Sequence, residues 1–361
     1  MNDKDMNSRR ILLTGGGTAG HVTPNLALLP HLKSAGFDIH YIGSEDGIER
    51  SLLSSYDYVT YHAIPSGKLR RYFSLKNFTD PFRVLAGISR AKKILKRVRP
   101  KLIFSKGGFV SVPVVLSAKH IAPIVSHESD YTPGLANKIG ARFAEKVCVT
   151  FEDTKQFVGE KAVYTGTPIR DALFSGDREA GLKYLGFDGR KPVLLIMGGS
   201  LGAASVNQAV RNALSVLLSR FDIAHICGSG KVDSSIKRPG YVQFEYIREE
   251  LPDVFAASDI LLSRAGANAV FEFLALMKPA LLVPLPSKSS RGDQILNAEY
   301  FKKRGYADVL MQEDVTPAVL VERLFELYSN RDKYVENMRG ANAKDGTKSV
   351  LNVIFETMGE K

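Results

Sequence analysis

His21 stands at the end of a glycine-rich turn, "TGGGTAGHVTP" (Thr14 to Pro24), and the turn fits more than one chemistry. Gly15, Gly17 and Gly20 have the G-x-G-x-x-G spacing that lets backbone N–H groups approach a phosphate where a strand runs into a helix, whose dipole adds partial positive charge. An imidazole beside such a cradle, titrating near neutrality, is suited to taking a proton from a hydroxyl. The same histidine could instead cap the helix or meet only solvent. The spacing also fits a dinucleotide site, with Glu45 placed after the second strand as the carboxylate that would hold the ribose of NAD.

A second glycine loop, "GGSLGAAS" (Gly198 to Ser205), repeats the arrangement in the other half of the chain, and a dehydrogenase reading leaves it without a task. Downstream, "SRAGANAVFEFLALMKPALLVPLP" (Ser263 to Pro286) carries Glu272 in an otherwise apolar helical stretch. That carboxylate is either solvated or turned inward to accept two hydroxyls of a ribose. "GDQILNA" sets Gln294 and Asn297 three residues apart on one helix face, where amides can bond sugar hydroxyls or simply face water. Metal chemistry has no foothold: the D-x-D of Asp3 and Asp5 lies in the polar start, and no His or Cys pair has zinc spacing. No cofactor is implied. A departing diphosphate would therefore be stabilised by helix dipoles and backbone amides.

The elements that must position these residues are legible as alternation. "RRILLTGGG", "FDIHYIGS", "PKLIFSKGG", "APIVSHESD" and "EKVCVTF" read as strands, with helical patterns such as "TPNLALLPHLKS" and "VPVVLSAKH" between them. From Lys191 the pattern restarts with "KPVLLIMGGSLGAASVNQAVRNALSVLL", then "DIAHICGSG", "GYVQFEY", "ASDILLSRAG" and "KPALLVPLP". The chain is expected to be of the α/β class: two Rossmann-like, doubly wound parallel-sheet domains facing a cleft at their strand C-termini. The expected domains are 1–165 and 166–339, joined around Tyr164 to Asp177, with a last helix over 340–361 packing back onto the first.

Composition sets the surroundings. With 44% hydrophobic and 24% charged residues, 361 residues suffice for two globular domains. The apolar run Ile11 to Leu13 is too short for a signal peptide, and no stretch approaches the roughly 18 to 20 apolar residues of a membrane span. A cytosolic chain that spans nothing is expected, with Cys148 and Cys227 as reduced core thiols. Between Ser66 and Lys101 twelve Lys or Arg face a single acid, Asp80, which accounts for the whole net charge of +11. Leu69, Tyr72, Phe73, Leu75, Phe78, Phe82, Val84, Leu85 and Ile88 alternate with these cations, a mixture suited to an anionic membrane surface. No RNP, KH or zinc-finger pattern supports nucleic acid as the partner.

Six motifs, "GGGTAGHVTPNLAL", "SKGGFVSVP", "HESDYTPGLANK", "GGSLGAASVN", "RAGANAVFEFLAL" and "SRGDQILNA", come in an order and spacing that resemble the MurG family of glycosyltransferase family 28, from about Arg10 to Glu299. The resemblance implies a GT-B fold and an inverting, metal-independent transfer of GlcNAc from UDP-GlcNAc to lipid I, giving lipid II. It also implies a peripheral place on the cytoplasmic side of a bacterial membrane. Carried over by motif, His21 is the general base for the acceptor 4-hydroxyl. Thr18, Ala19, Gly20, Arg170, Ser200, Ile247, Ala267, Asn268, Ala269, Val270, Phe271, Glu272 and Gln294 match donor-binding positions, with Glu272 on the ribose and Gln294 on the GlcNAc hydroxyls. Gly15, Gly16, Gly17, Gly107, Gly108, Glu128, Asp130 and Asn137 fall where the acceptor and its diphosphate are expected. Many family members have His-Glu-Gln-Asn where this chain has His127, Glu128, Ser129 and Asp130, so a carboxylate that only accepts hydrogen bonds replaces an amide. Two readings compete: a diacylglycerol glycosyltransferase of the same fold, and a non-catalytic basic scaffold on membranes or RNA.

Overall fold

A computed structural model describes residues 9–67, 76–199, 202–288, 290–341 and 345–360. The chain divides into two compact units: residues up to Arg170 together with those from Asp345 onward, and the intervening residues from Asp171.

In the first unit the strands are β1 (Arg10–Thr14), β2 (Asp38–Ser44), β3 (Val59–Ile64), β4 (Leu102–Ser105), β5 (Ile124–Glu128), β6 (Lys146–Val149) and β7 (Ala162–Tyr164). They form one sheet in the order β3-β2-β1-β4-β5-β6-β7, and every pairing is parallel. "ILL" of β1 and "LIF" of β4 are fully buried, as parallel strands covered on both faces must be. The helix Thr23–Ser34, entered through Pro24, buries Leu26, Leu28, Leu29 and Leu32 on the sheet. The C-terminal helix Thr347–Met358 places Val350, Leu351, Val353, Ile354 and Met358 in that same core, beside residues of β1 and β4. Truncating one of these to alanine would cost about 2–5 kcal/mol.

The second unit has β8 (Val193–Met197), β9 (Asp222–Ile226), β10 (Tyr241–Phe244), β11 (Ile260–Ser263), β12 (Ala280–Leu282) and β13 (Ala307–Val309), again all parallel, in the order β10-β9-β8-β11-β12-β13. The helices Ala204–Leu217 and Pro317–Ser329 cover its core with Val210, Leu214, Leu320 and Leu324. Cys148 and Cys227 are both buried and unpaired with each other, and burial is the main cause that raises both thiol pKa values.

In each sheet the winding reverses between two adjacent strands, β1 and β4 in the first and β8 and β11 in the second. In open α/β sheets such reversal points, outside the carboxyl ends of the strands, are where ligands bind. Both glycine loops lie at these two points.

Candidate active site

The residues leaving β1, β4 and β5 meet at one end of the first sheet. Gly15 to Gly17 turn away from β1 over Glu49, whose side chain has no exposure at all. Glu49 accepts from the Ser44 N–H (2.8 Å), the Ser44 hydroxyl and the Gly17 N–H (3.2 Å). The turn is thus pinned from below by a buried carboxylate, and the Gly17 amide is engaged inward. Tyr41 Oη closes the other side, donating to the Gly15 carbonyl at 2.7 Å.

His21 ends a short 3-10 turn, Ala19–His21, and is half-buried. Its Nδ1 lies 2.8 Å from Thr18 Oγ1. With the proton on Nδ1 and donated to Thr18, the Nε2 lone pair is the basic atom, which is the tautomer a general base requires. Gly108 packs against it: a Cβ there would lie 3.2 Å from His21 Cγ and 2.2 Å from the Gly16 carbonyl oxygen, and the φ of +79° is left-handed. Only glycine lets the β1 and β4 loops approach this closely.

Beneath the Gly107–Gly108 turn lies Lys106, only 1% exposed, with its Nζ donating to Ser129 Oγ at 2.7 Å. Burial pushes its pKa down to about 8, against the opposing fields of Glu128 and Asp130. Glu128 organises the loop after β5: Oε1 accepts from Asp130 N–H (2.9 Å), and Oε2 from Gly134 N–H (3.0 Å) and Asn137 Nδ2 (2.8 Å). Asn137 Nδ2 also donates to the His127 carbonyl at 3.2 Å. His127 lies within hydrogen-bonding distance of the Gly166 carbonyl at 3.0 Å, and burial, then Lys106, hold its pKa well below the usual histidine value. Glu128 and Asn137 thus shape their own loop, while Asp130 is half-buried at its rim.

In the second unit the loop after β8 and the helix Ala267–Ala275 after β11 flank the reversal point. Ser200 lies outside the described residues. Along the helix, Asn268, Ala269 and Glu272 share a partly exposed face, whereas Ala267, Val270 and Phe271 are buried, so those three can serve a ligand only through their backbone. The Val270 amide is already bonded to the Gly266 carbonyl at 3.1 Å. Gln294 accepts from the Leu285 N–H through Oε1 at 3.0 Å, tying the helix Asp293–Lys303 to the segment after β12. Asn297 departs from the sugar-facing expectation: it is fully buried and donates to the Ala265 carbonyl at 3.1 Å, because three residues of spacing share a face but not a depth. Ile247 is buried, and Arg170, in the first unit, has an Nε that is buried with no hydrogen-bond partner among the described residues.

Lys106, Glu49 and Arg264 were not singled out by sequence reasoning. Arg264 is 9% exposed and donates to the Val283 carbonyl (3.0 Å), the Pro284 carbonyl (3.3 Å) and Ser205 Oγ (3.2 Å), all neutral oxygens. Its charge, kept by every arginine, is placed at the end of β11 beside the first turn of the helix Ala204–Leu217.

Sequence profiles of the glycosyltransferase family 28 N-terminal and C-terminal domains match residues 11–149 and 193–352. The chain belongs to glycosyltransferase family 28. It is 55% identical over 97% of its length to a protein of Geobacillus thermodenitrificans and 52% identical over 96% to one of Clostridium tetani, covering 99% and 97% of those relatives. Both are named "UDP-N-acetylglucosamine--N-acetylmuramyl-(pentapeptide) pyrophosphoryl-undecaprenol N-acetylglucosamine transferase". Among solved structures, this family 28 chain resembles Acinetobacter baumannii MurG at 25% identity with a TM-score of 0.75, covering 96% of this chain and 99% of that one. The glycotransferase of kitacinnamycin matches at 15% identity with a TM-score of 0.75, over 97% of this chain and 99% of that one, which shows the fold alone. The two parallel-sheet units are those of the GT-B class, and the chain is a glycosyltransferase.

Proposed function

We infer that the chain transfers GlcNAc from UDP-GlcNAc to the 4-hydroxyl of MurNAc in lipid I (undecaprenyl-diphospho-MurNAc-pentapeptide), giving lipid II and UDP with inversion and without a metal. The observation that carries this reading is the identity of 52–55% over 96–97% of the chain to transferases of that name. In this reading residues 1–165 with the C-terminal helix hold the acceptor, and 166–339 hold the donor.

His21 Nε2 takes the proton of the 4-hydroxyl, the oxygen attacks the anomeric carbon, and the bond to UDP breaks with its electron pair left on the β-phosphate. The diphosphate charge is met by the amides at the start of the helices Ala204–Leu217 and Ala267–Ala275, with Arg264 adding positive potential. Glu272 holds the ribose, Ile247 the uracil through its backbone, and Gln294 the GlcNAc hydroxyls; Thr18, Ala19, Gly20, Arg170 and Ser200 are assigned to the donor by their motifs alone. The acceptor diphosphate lies at the loops of Gly15 to Gly17 and Gly107 to Gly108.

Membrane attachment on the cytoplasmic side is assigned to the segment from Ser66 to Lys101, of which residues 68–75 lie outside the described residues. Its helix Lys76–Val98 exposes Phe82 (74%) and Leu85 (63%), and Arg83, Arg90, Lys92, Lys93, Lys96 and Arg97 are exposed along it. Each basic residue at an anionic surface contributes about 1 kcal/mol. Among the described residues no helix is long and apolar enough to cross a membrane.

The test is UDP release from UDP-GlcNAc with a short-chain lipid I analogue, in EDTA. Acceptor-dependent release supports the reading. Release with diacylglycerol in place of lipid I would move the acceptor class to the competing transferase, and release that needs added divalent metal would remove the metal-free mechanism.

A further inference from the structure

Between the edge strand β3 and the helix Lys76–Val98 lies a groove of about 430 Å³, lined by His62 of the strand and by Arg90, Lys93 and Arg97 of the helix, with the buried Ile94 among them. The three cations recur at i, i+3 and i+7, so they form one stripe of the helix. All three are exposed, and among the described residues none has a hydrogen-bond or ion-pair partner. Asp38, the carboxylate beside this wall, is already engaged by Arg10 Nε at 3.2 Å and His40 Nε2 at 3.2 Å. The groove therefore concentrates positive charge with no acid of its own to balance it.

The strand side adds a hydrogen-bonded chain. A carboxylate only accepts, so His40 donates to Asp38 through Nε2, and its Nδ1 accepts from His62 Nε2–H at 3.0 Å. Nδ1 of His62 is then the basic nitrogen left over, on a residue that lines the groove. Burial, then His40 and Arg97, hold His62 down to about 4, against the opposing field of Asp38. An anion in the groove would cancel the Arg97 field, so a bound anion and a proton on His62 Nδ1 stabilise one another. A carboxylate is satisfied by a single guanidinium fork, whereas cations spread over about two helical turns suit a phosphate, with its additional oxygens and charge.

We propose that this groove is a binding site for one phosphate group, held by Arg90, Lys93 and Arg97 and flanked by His62. The phosphate is that of a soluble ester or of a lipid headgroup. The site goes beyond the lipid I reading, because its lining shares no residue with the glycine loops where the acceptor diphosphate is assigned.

The experiment follows the His62 ring signal by NMR in the full chain, assigned with His62→Gln, and reads binding rather than turnover. Three proteins are compared: wild type, the groove variant Arg90→Gln/Lys93→Gln/Arg97→Gln, and the charge-matched variant Arg83→Gln/Lys92→Gln/Lys96→Gln, whose positions are exposed on the same helix but do not line the groove. The probes are inorganic phosphate and bicelles of phosphatidylcholine with or without phosphatidylglycerol, at about 0.15 M salt so that distant charges are screened. At least one phosphate probe should move the wild-type signal and saturate. The groove variant should bind that probe about tenfold or more weakly, and the charge-matched variant within about twofold of wild type. Saturation with inorganic phosphate shows that a soluble ester suffices; a response only to phosphatidylglycerol assigns the headgroup. Equal losses in the two variants would reduce the effect to net charge and overturn the site. A signal that neither probe moves, or that drifts without saturating, would overturn it as well.

Discussion

Replacing Gly108 by alanine tests the idea that the two loops of the first sheet are held at a set distance so that His21 points correctly. The added methyl would sit 2.2 Å from the Gly16 carbonyl oxygen, about 1 Å inside ordinary contact, and 3.2 Å from the imidazole. Neither neighbour can yield cheaply, since one is backbone and the other rests on Thr18 and the 3-10 turn. The left-handed φ of +79° adds roughly 1–2 kcal/mol for any residue with a Cβ. Relief therefore comes from parting the β1 and β4 loops by about 1 Å, a displacement that can cost about 10²-fold in rate when it moves a catalytic group. In UDP-release assays kcat should fall about 10²-fold, while UDP-GlcNAc affinity, measured by calorimetry, stays within about threefold. A folded Gly108→Ala protein with wild-type kcat would refute the reasoning, because the close approach would then have no part in placing the base.

Three further outcomes are expected. His21→Ala should lower kcat by about 10² to 10⁴ with donor affinity nearly intact, as loss of a general base does; an unchanged kcat removes His21 from that role. Glu272→Ala should raise donor KM with a smaller effect on kcat, because a ribose contact is made in ground and transition states alike, and equal donor affinity would exclude it. His225, buried between Tyr241 Oη (2.9 Å) and Asn207 Oδ1 (3.1 Å), has its pKa pushed down to about 3, by burial first and then by Arg211. Its folded value lies below its unfolded one, so the stability it lends is present above about pH 6.5 and is lost as the pH falls toward 3. The urea midpoint should decline over that window, and His225→Gln should flatten the decline; an unaltered slope would assign the acid sensitivity to other groups.

The strand, glycine and helix units were legible because parallel strands buried on both faces are unbroken apolar runs, and "RILLT", "LIFS" and "VLLIM" read so at sight. β3 was not, since "VTYHAI" is a half-exposed edge strand whose polar residues interrupt the run, and β7 and β13 have three residues each. Within the site, glycines announce themselves, but buried charges do not. Lys106, Glu49 and Arg264 are types that composition assigns to solvent, and only the packing around them shows that each is enclosed by oxygen and N–H groups. The one hint for Lys106 was its place between a fully buried strand and two glycines. Asn297 shows the converse error, an amide assigned to a ligand that instead satisfies the Ala265 carbonyl inside the core.

The helix Thr347–Met358 has a consequence for how this protein is made. It fills the core of the unit whose sheet is synthesised first, yet it leaves the ribosome about 180 residues after Arg170. At a translation rate of about 5–20 residues per second, roughly 10 to 35 s pass between the two. Throughout that interval the sheet's apolar surface around Ile11, Leu13, Leu102 and Phe104 lacks its final cover. The nascent first unit is accordingly the stage most exposed to chaperones and proteases, and a chain ending before Thr347 would carry that exposure permanently.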